Sequence, residues 1–189
     1  MAQQIIIFSL YIIISILISL VFSKLFGELI GRKILHILMF GTWYLYLHYL
    51  DHNLGLILAI IVNILLVLYS LITKKYNLLT YGLVLLYSIL DKGHENLNTI
   101  RLLILSLADG LAPITATIFN KLNKKISNLN DKTYIGSITF LLTTFIILIT
   151  HFYSLNLAIL ISVFLTLIEY VVKKNDNLVL YICMIIFIT

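Results

Sequence analysis

Charge is scarce in this chain of 189 residues: lysine, arginine, aspartate and glutamate make up 11% of it, against about 25% in a soluble domain. That scarcity excludes an ordinary cytosolic globule. Cysteine is almost missing too. Cys183, the only one, lies in an apolar run, which excludes an intramolecular disulfide framework and a cysteine-based metal site. It reads as a small buried hydrophobe. No polar stretch is longer than the one from about Asn120 to Thr133, so there is no room for a soluble catalytic domain. Any chemistry must use residues in or beside a membrane. There is no G-x-x-x-x-G-K-[ST] loop and no protein-kinase signature set, and we find no internal repeat, linker or domain boundary.

What the chain has in abundance is apolar length, with 61% of its residues hydrophobic. Apolar segments fall near 4–23, 34–50, 54–73, 77–90, 99–119, 134–153, 155–172 and 177–189. Several reach the length of about 20 residues that crosses a bilayer. The fourth segment, at 1.5 Å per residue, extends only about 21 Å of an apolar core about 30 Å thick. The last is short as well. The first lacks a preceding positive charge and a small-residue cleavage site, so it reads as a retained helix rather than a signal peptide. The expected fold class is all-α: a polytopic integral membrane helical bundle of about seven or eight transmembrane helices, some short or broken. We expect one domain over 1–189, with the first helix, 4–23, peripheral to a core from 28 to 189.

The formal charge of +5 matters through its distribution and does not point to nucleic acid. Lys24, Arg32 and Lys33 follow the first segment, and Lys74 and Lys75 follow the third. Lys121, Lys124, Lys125 and Lys132 follow the fifth; Lys173 and Lys174 follow the seventh. These are alternate connections, so the positive-inside rule predicts that they face the cytoplasm. Only Lys92 and Arg101 fall opposite, and both termini are expected to be non-cytoplasmic.

Against this background the residues that do not belong in lipid stand out. Asp109 lies near the middle of the fifth segment, where a charge costs at least about 2.5–3.5 kcal/mol and marks a functional site by default. Gly110 follows it. Pro113, the only proline, has no N–H for the carbonyl of residue 109, so the reading predicts a helix broken there and restarting at Pro113, its free N–H groups open to a phosphate. A hydrogen-bonded kink residue is the structural alternative for Asp109. Glu169 is a second carboxylate in an apolar segment. If the helix continues, Asp176 lies two turns along the same face, while Lys173 at i+4 is a possible ion-pair partner. Arg32, Lys33 and His36 share one helix face; snorkelling anchors would account for the first two but not for His36. Asp131 or Thr133 is a candidate N-cap for the sixth segment. Lys132 puts a cation beside that helix N-terminus, which is unfavourable unless an anion sits there, and this points to phosphate. Carboxylates with cations beside helix ends are what a metal–nucleotide triphosphate requires.

The same residues carry a resemblance. Gly31-Arg32-Lys33-Ile34-Leu35-His36, then Tyr81-Gly82, Ala108-Asp109-Gly110-Leu111-Ala112-Pro113, Lys132-Thr133-Tyr134-Ile135-Gly136-Ser137, and Glu169 followed by Asn175-Asp176-Asn177-Leu178 are in the order and spacing of one family. The sequence resembles the membrane-embedded CTP-utilising lipid-alcohol kinases, which include dolichol kinase, phytol kinase and the CTP-dependent diacylglycerol kinase, from about Glu28 onward. Ala108 stands where that family often has glycine. The stretch after Thr117 lacks its usual glycine-containing turn, and no proline follows Leu178.

The resemblance implies transfer of the γ-phosphoryl of CTP to the hydroxyl of an isoprenoid or polyprenyl lipid alcohol, with Mg²⁺ or another divalent cation, at the cytoplasmic face of the bilayer. Asp109, Lys132 and Glu169 would be catalytic, and Asp109, Glu169 and Asp176 would hold the metal. Arg32, Lys33, His36, Gly110, Thr133, Gly136, Ser137 and Asn177 would bind the nucleotide. The alternatives are a CTP-dependent diacylglycerol kinase, a CMP-transferring enzyme of the phosphatidate cytidylyltransferase type and, outside catalysis, a small transporter.

Overall fold

The computed structural model describes the chain except residues 1, 51, 73–75, 120–124, 128–129, 152, 173–175 and 189, and excepts also the side chains of 52, 76–77, 125–127 and 130–131. Lys74, Lys75, Lys121, Lys124, Lys173, Lys174 and Asn175, and the side chains of Lys125 and Asp131, therefore lie outside the described residues.

The described residues form eight helices, one for each apolar segment. They are α1 (Ala2–Phe26), α2 (Glu28–His48), α3 (His52–Ile72), α4 (Tyr76–Leu90), α5 (Glu95–Ile118), α6 (Tyr134–Thr150), α7 (Leu155–Val171) and α8 (Asp176–Phe187). Helices α1, α3 and α5 are long and apolar enough to cross a membrane. Helices α4, α6, α7 and α8 are apolar but shorter, the last with 12 residues. A short antiparallel strand pair, Lys125–Ser127 with Asn130–Thr133, lies between α5 and α6. The sequence reading did not anticipate it, because strands this short and polar carry no hydrophobic alternation to detect.

The chain divides into two compact units, Met1–Glu95 and Asn96–Thr189. In the first, α1 packs along α2 after a turn at Gly27, whose φ of 96° is the left-handed conformation glycine adopts freely. Gly31 lets the two backbones close: a Cβ there would stand 2.6 Å from the Ser19 carbonyl oxygen and 2.8 Å from Ser23 Cα. The Ser19 hydroxyl donates to the Gly31 carbonyl at 2.8 Å, which satisfies a polar group inside the apolar hairpin. Helices α3 and α4 form the other close pair of this unit.

In the second unit α5 packs on α6, α6 on α7 and α7 on α8. Leu102, Ile104, Leu105, Phe140, Leu148, Leu165 and Met184 are buried in its core. The faces turned outward are apolar too: Ile138, Leu142 and Ile146 of α6, and Leu160 and Leu167 of α7, are exposed while Asp109, Glu169 and Asp176 are buried. Apolar outside with charge inside is the distribution of an integral membrane protein, in which lipid covers the outer faces.

Helix α5 corrects one expectation. It does not break at Asp109 and restart at Pro113; it runs continuously from Glu95 to Ile118, with Pro113 inside it. The irregularity is a π-helical turn, Ile104–Ala108, immediately before Asp109, whose backbone N–H bonds to the Ile104 and Ser106 carbonyls. A wider turn takes up the irregularity without breaking the helix, and such turns are frequent at functional sites. No helix therefore begins at Pro113 to offer N–H groups to a phosphate. A second correction concerns α7, which stops at Val171. Val172 is extended (φ −80°, ψ 121°), and Asp176 opens a new helix rather than lying two turns along the old one.

Candidate functional site

In the second unit three separated stretches of sequence meet around one ammonium group, and a fourth acts on it through its charge. Lys132 is the penultimate residue of the second strand, one residue before the N-cap of α6. Its Nζ pairs with Glu169 Oε1 near the end of α7 and lies 3.8 Å from Asp176 Oδ2 at the start of α8. Asp109, buried beside the π-turn of α5, adds its negative charge to the field on the same ammonium. Burial alone would lower the pKa of Lys132, but Glu169, then Asp109 and Asp176, outweigh it and hold the group above its ordinary value of 10.5. The lysine is thus held in its charged form between Glu169 and Asp176, with the charge of Asp109 adding to the same field.

Sequence spacing made Lys173 a possible partner of Glu169, and Lys173 lies outside the described residues; among those described, Glu169 pairs with Lys132, 37 residues away. The same pairing revises the argument that a cation beside the N-terminus of α6 needs a phosphate. The protein's own carboxylates already offset it.

Thr133 is the N-cap that the sequence indicated: its hydroxyl accepts from the Gly136 backbone N–H at 3.2 Å. That leaves the N–H groups of Tyr134 and Ile135 without helical acceptors, at the positive end of a 17-residue helix. Gly136 is buried against α5, and a Cβ there would stand 3.3 Å from the Ala112 carbonyl oxygen. Thr115 of α5 and Thr139 of α6 exchange a hydroxyl hydrogen bond of 2.8 Å along the same contact. Ser137 Oγ is buried and has no hydrogen-bond partner. In the first turn of α8, Asp176 Oδ1 accepts from the Asn177 N–H at 3.0 Å, and both residues are buried. Gly110 is buried next to Asp109.

Among the described residues no three His, Cys, Asp or Glu side chains stand grouped as metal ligands. As they stand, Glu169 and Asp176 share an ammonium instead.

The first unit holds the remaining candidates. His36 is fully buried on α2 and stacks on Tyr81 of α4, ring centroids 4.4 Å apart and nearly parallel at 6°. The Tyr81 hydroxyl donates to the His36 carbonyl at 2.8 Å. Two pieces of the sequence pattern, 45 residues apart, are therefore in contact. Lys33 is buried on the same helix, and Arg32 is partly exposed.

One polar cluster was missed. Arg101, assigned from its position only to the far side of the membrane, is 4% exposed. Its Nη1 donates to Asn98 Oδ1 at 2.9 Å and its Nη2 to the Ile188 carbonyl at 2.7 Å, while the Tyr181 hydroxyl donates to Asn98 Oδ1 at 3.0 Å. The available signal was an arginine inside an apolar segment, the same signal that singled out Asp109.

No family model, no curated protein and no solved structure matches the chain.

Proposed function

We propose that this protein is a membrane-embedded kinase that transfers the γ-phosphoryl group of CTP to the hydroxyl of an isoprenoid or polyprenyl lipid alcohol. The observation that carries the reading is the Lys132 ammonium, held charged beside Glu169 and Asp176 and in the field of Asp109. Sequence resemblance picks out these residues, and folding gathers them in one unit.

The donor chemistry is that of the divalent cation such a reaction uses, carboxylate oxygens of Asp109, Glu169 and Asp176, and holding it would take Glu169 and Asp176 off the Lys132 ammonium they share as they stand. A bound Mg²⁺ would neutralise phosphate charge. The chain's own groups would do the rest. Lys132, the N–H groups opening α6 and the hydroxyl of Ser137 supply positive charge and hydrogen-bond donors for phosphate oxygens. In the transfer the alcohol oxygen bonds to the γ-phosphorus as the bond to the β–γ bridging oxygen breaks. CDP leaves, and the hydroxyl proton passes to a carboxylate of the cluster. Catalysis of this kind is mostly alignment and charge neutralisation. Arg32, Lys33 and His36 are assigned to the nucleotide by the resemblance alone, and single substitutions test them.

Purified protein in lipid vesicles, given a polyprenol, Mg²⁺ and CTP labelled at the γ- or the α-phosphate, tests the reading. Label from the γ-position alone should reach the lipid, and Asp109→Asn should abolish it. Transfer of α-label would instead show a cytidylyltransferase. Diacylglycerol accepted in preference to polyprenols would move the substrate, and an active Asp109→Asn variant would overturn the central assignment.

A further inference from the structure

We infer that Arg101 is a positioning residue: the polar clasp of Asn98, Arg101, Tyr181 and the Ile188 carbonyl sets the register of α8 against α5, and with it the place of Asp176 and Asn177 in the site. This rests on the functional reading above only for what the site does. The clasp itself follows from the second unit's geometry.

Among the described residues the partners of Arg101 are dipoles. One is the carbonyl of Ile188, just past the end of α8, where the helix dipole is negative and a cation is most favourable. Arginine supplied by α5 thus caps the C-terminus of another helix. Asn98 Oδ1 receives both the guanidinium and the Tyr181 hydroxyl, so α8 is tied to α5 at two levels, one near its middle and one at its end. The charge extends to the connection between α6 and α7 as well. Burial pushes the Tyr153 hydroxyl pKa up, and Arg101 draws it partway back.

Such a clasp has a clear task. Helix α8 has 12 residues and is mostly Leu, Val, Ile and Met, side chains that offer no hydrogen bond to mark its register. Within a membrane helices associate through van der Waals packing and interhelical hydrogen bonds rather than a hydrophobic force, so a buried polar clasp is a device that can fix the register. The two helices also carry chemistry at their other ends. On α5, Asp109 lies eight residues beyond Arg101, about 12 Å along the axis; on α8, Asp176 lies about 18 Å from Ile188. Helix α8 also packs on the π-turn that precedes Asp109. A slide of one residue along α8 would move the Asp176 carboxylate by about 1.5 Å, enough to change its approach to Lys132.

A stability cycle tests this without any assay of catalysis. Arg101→Gln, Asp176→Asn and the double variant of the full chain are unfolded in mixed micelles by titration with dodecyl sulfate. Residues this far apart ordinarily contribute independently, so their effects on the unfolding constant should multiply. The clasp predicts otherwise: once Arg101 is gone, Asp176→Asn should change the unfolding constant at least fivefold less than it does in the wild type. Multiplication to within twofold overturns the proposal. If Arg101→Gln does not fold, Tyr181→Phe takes its place in the same cycle with the same two outcomes. Kinetics supply the second reading: Arg101→Gln should lower kcat at least tenfold with KM for CTP changed less than threefold, and Arg101→Lys should recover part of the loss. A rise in KM alone would overturn the positioning role. A wild-type protein with no kinase activity would overturn the functional reading and leave the stability cycle to decide on the clasp.

Discussion

Lys132 does two things that its place in the sequence does not show. It neutralises two buried carboxylates from helices α7 and α8, and it stands one residue ahead of a helix N-terminus. Removing one partner of a buried pair leaves an uncompensated charge, so Lys132→Gln should destabilise the protein by about 3 kcal/mol, read by denaturant titration of the two proteins. The pH dependence follows from the direction of its pKa. The folded value lies above the ordinary 10.5, so the stabilisation is fully present below that pH and is lost only as pH rises through the folded value. The stability difference between wild type and Lys132→Gln should therefore be flat from about pH 7 to 10 and shrink above it. A difference that fell between pH 7 and 9 would show that the lysine is not held by these carboxylates. Which carboxylate it meets was out of reach of spacing rules, because the contact joins a strand end to two helix ends far apart in the chain.

At the scale of elements, close approach of backbones is carried by two glycines. In the α1–α2 hairpin a Cβ on Gly31 would run into backbone atoms of α1, which cannot rotate away as a side chain can. Gly31→Ala should separate the helices and lower the thermal midpoint clearly. Gly136→Ala is milder. Its Cβ would meet Thr133 Oγ1 at 3.0 Å and the Ala112 carbonyl at 3.3 Å, so either the cap or the α5 contact must give. A loss of about 1 kcal/mol, the worth of an N-cap, is expected, and phosphoryl transfer should fall more than stability does. Equal activity in Gly136→Ala would place the N-terminus of α6 outside the site. The helices themselves were legible because long apolar runs leave few alternatives. Their ends were less so: α2 begins at Glu28, well before the apolar stretch, because Gly27 turns the chain there and the helix carries Arg32 and Lys33 within it. The π-turn was not legible at all. Pro113 and Asp109 marked the region as irregular, but whether a helix breaks or widens depends on the helices packed around it.

For the molecule as a whole, the exposed apolar faces and three helices long and apolar enough to cross a membrane point to the bilayer, while the expected orientation rests on where the basic residues fall. Eleven lie on one set of alternate connections and two, Lys92 and Arg101, on the other. The structure changes the weight of three of these. Arg101 is buried and bonded, Lys33 is buried and Lys132 is paired with Glu169, so they report packing as well as topology. Nine basic residues against Lys92 alone keep the same sidedness. For the proposed kinase it also decides whether the site could draw on cytosolic CTP. The test uses the near absence of cysteine: with Cys183→Ala as background, Lys24→Cys and Lys92→Cys each supply a single thiol. In intact cells a membrane-impermeant maleimide should label the thiol at 92 and spare that at 24, which should react only once the membrane is opened. The reverse pattern would turn the connections bearing Lys24 and Lys132 outward, away from the nucleotide, and the kinase reading would fall with it.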